Sequence, residues 1–324
     1  MALLCGIDEA GYGPLLGPLI VSGTAFRVPD ENADGCLWHR LRNSCTRSRR
    51  RGDTRLLVAD SKQVHRGHQG PGGLADLERA VLVWLTCGGQ TPSTIGELLS
   101  VVAPSALRTL EEYPWYLDTG RRIPLDETTG DIAIRANAIR RDCRRSETTF
   151  VGAWCEVLPE GHFNRAVQET ENKADVLLAM NLCMVKHVTT QSQPGEPVWV
   201  RADRLGGRSD YASSLRSVFP DFEIEVIEVT AESSRYRMTD GQRCLDVAYV
   251  TRGERASFPI ALASLFSKYA REVFMRLFND YWRGHSATLK PTAGYYTDAQ
   301  RWLREASKLV DQVGIHRMML VRQR

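Results

Sequence analysis

The sequence predicts a mixed α/β fold in which helices flank a central β-sheet. Short apolar runs typical of buried strands recur along the chain, and stretches with helical apolar spacing alternate with them. No internal repeat or low-complexity tract interrupts this series. With 324 residues, 43% of them apolar and 25% charged, the chain has the composition of a globular protein that can bury a full core.

The apolar pattern predicts the order of the elements. Predicted strands cover residues 2–7, 19–26, 150–157, 198–202 and 224–229, and predicted helices cover 74–85, 174–185, 262–281 and 299–310. Three polar or aperiodic stretches, at about 29–53, 104–149 and 230–245, are interpreted as insertions. Residues 1–284 are predicted to form one domain and residues 285–324 a C-terminal helical segment.

Charge and cysteine usage narrow the class of protein. The formal charge of +3 permits a nucleic-acid partner without requiring one. Arginines cluster at Arg47, Arg49, Arg50 and Arg51 and again at Arg140, Arg141, Arg144 and Arg145, and a guanidinium fits phosphate oxygens. A solvated helix face or loop is the alternative interpretation. The 8 cysteines lack the spacing of a zinc site. Without a basic, apolar leader or a membrane-length apolar stretch, a cytoplasmic protein is expected.

Three acidic positions end or follow predicted strands: Asp8 with Glu9, Asp203, and Glu254. Carboxylates at strand ends on one edge of an α/β sheet can converge, and converging like charges repel unless a cation neutralises them. Because no histidine or cysteine pattern lies nearby, the expected cation is Mg²⁺ or Mn²⁺. An Asp-Glu pair before a glycine turn is, taken alone, more often a surface turn.

Nucleotide-binding loops are excluded by the glycine spacing. Gly11, Gly13 and Gly17 are one residue too far apart for the dinucleotide fingerprint, and the preceding acidic pair would repel a pyrophosphate. The chain also has no phosphate-binding loop ending in Gly-Lys-Ser/Thr.

A series of motifs carries a family resemblance. Residues 6–18 read GIDEAGYGPLLGP and are followed by Asp60-Ser61-Lys62, by Asn164 with Ala179-Met180, and by Asp203. The series ends with RGERAS at 252–257, ASLFSK at 263–268 and GYYT at 294–297. In this order the motifs resemble type 2 ribonuclease H, a family that cuts the RNA strand of RNA/DNA hybrids. The resemblance spans residues 6–297 and leaves room for the three insertions.

The resemblance implies a ribonuclease H-like fold and a metal-dependent mechanism. Two divalent ions, Mg²⁺ or Mn²⁺, would be held by Asp8, Glu9, Asp203 and Glu254, and hydrolysis would leave 5′-phosphate and 3′-hydroxyl ends. The expected substrate is an RNA/DNA hybrid or ribonucleotide-containing DNA, and the C-terminal segment is expected to contact it.

The resemblance also implies a set of substrate-binding residues. They are Gly11, Tyr12, Gly13, Ser61, Lys62, Ser264, Lys268 and Tyr295. The amides of residues 11–13 would donate to the ribose, Tyr295 would stack on a sugar, and the lysines would contact phosphates. The alternatives are a packed loop aromatic for Tyr295, a snorkelling Lys268 and helix-capping serines.

Two residues depart from the family pattern. Tyr12 stands where the family usually has arginine, so a phosphate contact from that side chain is lost. Glu254 stands where aspartate is usual, which moves the carboxylate by about 1.5 Å. These departures leave two further hypotheses open: a non-catalytic nucleic-acid-binding protein on this scaffold, and a nuclease of the same fold with another DNA or RNA substrate. The insertions are where new specificity or a protein-partner site would lie.

Overall fold

The computed structural model of the chain describes residues 1–30, 35–65 and 73–323. Its strands are β1 (Ala2–Ala10), β2 (Leu19–Val28), β3 (Cys45–Thr46), β4 (Leu56–Leu57), β5 (Thr149–Leu158), β6 (Val198–Asp203), β7 (Glu223–Val229), β8 (Ser233–Thr239) and β9 (Cys244–Val250). Its helices are α1 (Leu37–Arg40), α2 (Ser61–Val64), α3 (Ala75–Cys87), α4 (Ile95–Val102), α5 (Ala106–Leu110), α6 (Thr129–Arg145), α7 (Glu160–Thr170), α8 (Lys173–Thr189), α9 (Ala212–Val218), α10 (Gly253–Ala256), α11 (Phe258–His285), α12 (Tyr296–Val313) and α13 (Arg317–Leu320), with a 3₁₀ turn at Pro114–Tyr116.

The central sheet of the described residues has seven strands in the order β5-β2-β1-β6-β9-β8-β7. Strand β2 runs antiparallel to both β5 and β1, whereas β6 runs parallel to β1 and β9 parallel to β6. Strands β8 and β7 then extend the sheet in antiparallel order. This is a mixed sheet flanked by helices, and the predicted mixed α/β class is confirmed. The carboxyl ends of β1, β6 and β9 meet at one edge.

Strand β1 is buried because helices cover both faces of the sheet. Its residues alternate between two cores: Leu4 packs with α3 and α11, while Leu3 and Ile7 pack with α7, α8 and α9. The α11 side is so close that a Cβ on Gly6 would lie 2.1 Å from the backbone nitrogen of Ile260. Glycine at this position therefore sets the distance between β1 and the start of α11.

The stretch at 29–53, interpreted as an insertion, carries secondary structure. Residues 31–34 lie outside the described residues, but α1 and β3 follow them. Trp38 anchors α1 by donating its indole N–H to the carbonyl of Val58 at 2.9 Å. The arginine-rich composition hid these short elements from the periodicity argument.

The stretch at 104–149, also interpreted as an insertion, contains α6, which covers seventeen of its residues. Its buried residues include Ile132, Ala136, Ile139 and Cys143, which have helical spacing. The exposed arginines between them obscured this pattern. The predicted insertion at 230–245 does form a hairpin, but β8 and β9 belong to the central sheet, and β9 is one of its parallel strands.

The two arginine clusters lie on neighbouring elements. Ser44 joins them by donating its hydroxyl to the buried Asp142 of α6 at 2.9 Å. Several of the arginines have structural contacts: Arg47 lies 3.9 Å above the Trp38 ring, Arg49 pairs with Asp76, and Arg140 donates to the carbonyl of Cys87. Arg50, Arg51, Arg141, Arg144 and Arg145 are exposed. None of the helices in the described residues has the length and apolar character needed to cross a membrane.

Candidate active site

The predicted acidic residues come from the edge where the three parallel strands end. Asp8 and Glu9 lie within β1, directly before its last residue, rather than after the strand. Because Ile7 pairs with Ala202 in the parallel register, Asp8 and Asp203 follow at the same level on adjacent strands. Glu254 lies on α10, four residues beyond the end of β9. The fold thus brings all four carboxylates to one edge.

Helix α11 and the short helix α2 support Asp8 from behind. The Asp8 carboxylate accepts the Glu9 amide at 2.8 Å and a hydrogen bond from Ser264. The Ser264 hydroxyl also lies 2.9 Å from the hydroxyl of Ser61, and Ser267 donates to the Asp8 carbonyl at 3.0 Å. Ser61 and Ser264 are both buried, and Ser264 contacts Asp8 while Ser61 contacts Ser264.

Burial and mutual repulsion act on the acidic residues of this edge. Burial, followed by repulsion from Glu9 and Asp203, raises the pKa of Asp8 well above its ordinary value. Burial and Asp203 raise the pKa of Glu9 to about 7, and burial, with a contribution from Glu254, raises that of Asp203. Asp8, Glu9 and Asp203 therefore resist ionisation, and a nearby positive charge would favour their ionised forms.

The residues present fit a divalent metal by their chemistry. All four donors are carboxylates, which are the ligands of hard cations such as Mg²⁺ and Mn²⁺. Glu9 Oε2 is buried and has no hydrogen-bond partner among the residues that the structure describes, so it is available as a ligand. In residues 1–30, 35–65 and 73–323, no group of three acidic, histidine or cysteine side chains is arranged so that it could hold an ion as it stands. Metal binding would therefore require these side chains to adjust.

A cavity of about 440 Å³ lies beside the carboxylates. Of the predicted site residues, Glu9, Gly11, Tyr12, Gly13, Ser61, Lys62, Lys268 and Tyr295 line it. Asp8, Asp203, Glu254 and Ser264 do not line it and lie behind or beside it. The predicted substrate-binding and acidic residues thus form two adjoining parts of one site.

The loop after β1 gives the cavity one wall. Gly11 has φ +91°, and a Cβ there would lie 2.5 Å from the carbonyl of Pro18, so only glycine fits without strain. Gly13 is exposed, and the Tyr12 ring lies 5.0 Å from the ammonium of Lys173. Gly11 and Gly13 therefore present only backbone to the cavity.

Two lysines and a tyrosine form the opposite part of the cavity. Lys62 is exposed and lies close enough to lower the pKa of Glu9. Lys268 is paired with Glu272 at 2.5 Å, so its charge is partly neutralised. Tyr295 is 49% exposed, and the charges of Lys268 and Arg271 lie 5.9 and 5.3 Å from its ring centre. A flat, exposed ring in this position can stack on a planar or sugar group.

Sequence reasoning missed several residues of this site. His65 and Glu272 line the cavity. Although burial opposes ionisation, Lys268 and Arg271 hold the pKa of Glu272 below its ordinary value. The i,i+4 spacing of Lys268 and Glu272 on α11 was the signal for this pair. No local signal pointed to Arg271 and Arg322. Both are buried beneath the loop at residues 11–18, called the glycine loop below, and donate hydrogen bonds to its carbonyls.

Comparisons with known proteins identify no matching family model and no matching curated protein. Solved structures with a similar arrangement include the RNase HII of Archaeoglobus fulgidus from its complex with PCNA, with 14% identity and a TM-score of 0.43 over 99% of this chain and 94% of that one. Bst-RNase HIII in complex with Mn²⁺ has 12% identity and a TM-score of 0.44 over 99% of this chain and 66% of that one. Ribonuclease H2 of Pyrococcus horikoshii OT3 has 11% identity and a TM-score of 0.42 over 98% of this chain and 92% of that one. These likenesses concern the fold alone.

Proposed function

We propose that this chain is a metal-dependent endonuclease that hydrolyses the RNA strand of RNA/DNA hybrids or ribonucleotides embedded in DNA. The observation that carries the proposal is the meeting of Asp8, Glu9, Asp203 and Glu254 at the edge where three parallel strands end. Burial and mutual repulsion raise the pKa of the first three, which favours a divalent cation as their partner. The order of motifs along the chain supports the same function.

The four carboxylates would hold two Mg²⁺ or Mn²⁺ ions. Bound there, the ions would stabilise charge on the attacking and departing oxygens of an in-line displacement at phosphorus, giving 5′-phosphate and 3′-hydroxyl products. Ser264 and the Glu9 amide orient Asp8, and the Gly253 amide orients Asp203. Such contacts fix the direction of the carboxylate oxygens and reduce the reorganisation that binding requires.

The cavity would hold the substrate next to these groups. Lys62 is an exposed cation at its rim, suited to a phosphate of the substrate backbone. The exposed ring of Tyr295 would stack on the sugar of the neighbouring nucleotide. The backbone amides of the glycine loop would donate to the ribose 2′-hydroxyl, the group that distinguishes RNA from DNA.

A panel of four labelled duplexes tests the substrate. They are an RNA/DNA hybrid, a DNA duplex with one ribonucleotide, an all-DNA duplex and an all-RNA duplex, each incubated with Mg²⁺ or Mn²⁺ and analysed for the chemistry of the new ends. The proposal predicts that only ribonucleotide-containing strands paired with DNA are cut, leaving 5′-phosphates. Cutting of the all-DNA duplex would favour a nuclease with another substrate. Tight binding of the hybrid without cutting would favour the non-catalytic alternative.

A further inference from the structure

The C-terminal tail lies directly beneath the glycine loop of the candidate site. The amide of Arg322 donates to the carbonyl of Leu15 at 2.9 Å. Its guanidinium donates to the carbonyl of Gly11 and, at 3.2 Å, to that of Tyr12. The side chain is 2% exposed and does not line the cavity on the other side of the loop. Arg322 therefore contacts the loop from the protein interior only.

Helix α7 holds this tail in place. Buried Asn164 donates to the carbonyls of Met318 and Val321, both at 2.8 Å, and accepts the amide of Gln323 at 2.6 Å. The neighbouring Phe163 ring lies 3.9 Å from the guanidinium of Arg322. The asparagine thus satisfies three backbone groups of the tail, and the arginine is confined between an aromatic ring and the loop.

Because the peptide bond is planar, these carbonyl contacts determine the direction in which the amide N–H groups of the loop point. In a trans peptide the carbonyl of one residue and the N–H of the next point in opposite directions. Because the carbonyls of Gly11 and Tyr12 point inward to Arg322, the N–H groups of Tyr12 and Gly13 point outward. Both residues line the cavity, and in the described part of the chain neither amide has a hydrogen-bond partner.

We propose that Arg322 is a positioning residue that fixes the Tyr12 and Gly13 amides toward the ribose 2′-hydroxyl of the substrate. This inference rests on the proposed function and adds a determinant of its specificity, namely the C-terminal tail. A loop whose carbonyls lost this partner would leave buried acceptors unsatisfied and would gain freedom to rotate its peptides. The side chain of Arg322 contributes nothing directly to substrate contact, since the loop separates the two.

Hydrogen exchange of the free protein tests the positioning step without any substrate. We expect Arg322→Gln to speed exchange of the segment 9–17 by about tenfold, because local opening becomes easier. Arg322→Lys, which keeps the charge but has one nitrogen in place of the fork, should fall between this variant and the wild type. Arg317→Gln, at an exposed position of the same tail, is the matched control. Unchanged exchange in both Arg322 variants would overturn the inference, whatever the substrate.

NMR signals of the backbone amides test whether Tyr12 and Gly13 respond to the ribose of the substrate. In protein labelled with ¹⁵N-tyrosine and ¹⁵N-glycine, the Tyr12 and Gly13 signals are followed during titration with a DNA duplex containing one ribonucleotide and with the matching all-DNA duplex. We expect larger shifts with the ribonucleotide in wild type and Arg317→Gln, and loss of that difference in Arg322→Gln. Equal shifts with both duplexes in wild type, or an undiminished difference in Arg322→Gln, would overturn the assignment. Failure of the proposed function shows separately, as absence of metal-dependent cleavage.

Discussion

The main-chain amide of Gly253 donates a 2.7 Å hydrogen bond to the carboxylate of Asp203 and so ties the turn after β9 to the end of β6. The next residue along the chain is Glu254, which raises the pKa of Asp203 after the larger effect of burial. Arg252, on the other side, has φ 54° and turns the chain back toward the sheet. The fourth acidic residue therefore reaches the site through backbone geometry.

Replacing Gly253 should disturb this connection. A Cβ at residue 253 would lie 2.6 Å from Cδ1 of Ile260 and 3.3 Å from Oδ1 of Asp203. We expect Gly253→Val to lower the rate of hybrid cleavage by about 100-fold, the scale seen when groups that orient metal ligands are lost. Gly207→Ala, where a Cβ meets nothing within 4 Å, is the control. A wild-type cleavage rate in Gly253→Val would show that the hydrogen bond between Gly253 and Asp203 is unimportant for catalysis.

We expect Ser264 to affect cleavage by hydrogen-bonding Asp8 rather than by contacting the substrate. Removing its hydroxyl with Ser264→Ala takes away a hydrogen bond that favours the ionised form of Asp8. We expect a higher Mg²⁺ concentration for half-maximal cleavage and a rate lower by about tenfold. Ser307→Ala, on the exposed face of α12, should match wild type. A rise in KM for the hybrid with an unchanged metal requirement would instead assign Ser264 to substrate binding.

Two substitutions of Glu254 separate the effect of its charge from that of its side-chain length. Glu254→Gln removes one negative charge from the site, and we expect a loss of cleavage of about 100-fold. Glu254→Asp keeps the charge but withdraws it by about 1.5 Å, and a smaller loss of about tenfold is expected. Exposed Glu232→Gln is the control, and single-turnover rates in Mg²⁺ are the measurement. Equal activity of Glu254→Gln and wild type would remove Glu254 from the metal site.

Glu160 lies under the glycine loop, and the raised pKa of its buried carboxyl leads us to expect that stability depends on pH. Burial raises its pKa to about 7 from an ordinary 4.5, although Tyr116 and the Gly17 amide donate to it. The folded state therefore holds this proton more tightly than the unfolded chain does. The resulting stabilisation, about 3 kcal/mol, is complete below pH 4.5 and is lost as the pH rises to about 7.

Glu160→Gln removes this titration while keeping a similar shape. The free energy of unfolding of the variant minus that of wild type should thus increase between pH 5 and pH 7 and level off above it, as measured by urea denaturation. Glu111→Gln, at an exposed position, is the control. A difference that stays flat or declines with pH would contradict the burial-driven shift.

The sequence predicted the sheet of the candidate site because its strands are short, apolar and bounded by acidic or glycine residues. The strand at 2–7, the strand at 198–202 and the helix at 262–281 lie inside β1, β6 and α11. Helix α6 was missed because its buried positions are spaced among arginines, and β9 because α9, β7 and β8 separate it along the chain from its parallel partner β6. The division at residue 284 stays a prediction.

The acidic residues could be proposed from their place after apolar strands, but their supports could not. Ser264 meets Ser61 across 203 positions of sequence, and Arg322 meets Gly11 across 311. Contacts of this range depend on how elements pack, and no local pattern of apolar or polar residues encodes them. The same reason explains why Glu160 and Arg271, both fully buried, were invisible as parts of the loop's support.

The most direct test of the central claim is the single-turnover cleavage rate of an RNA/DNA hybrid by wild-type protein and by Asp8→Asn, in Mg²⁺, in Mn²⁺ and in chelator. Asp118→Asn, an exposed carboxylate distant in sequence from the site residues, is the matched control. The account predicts cleavage that requires either metal, is preserved in Asp118→Asn and is abolished in Asp8→Asn. Cleavage in chelator, or equal rates for Asp8→Asn and wild type, would contradict it.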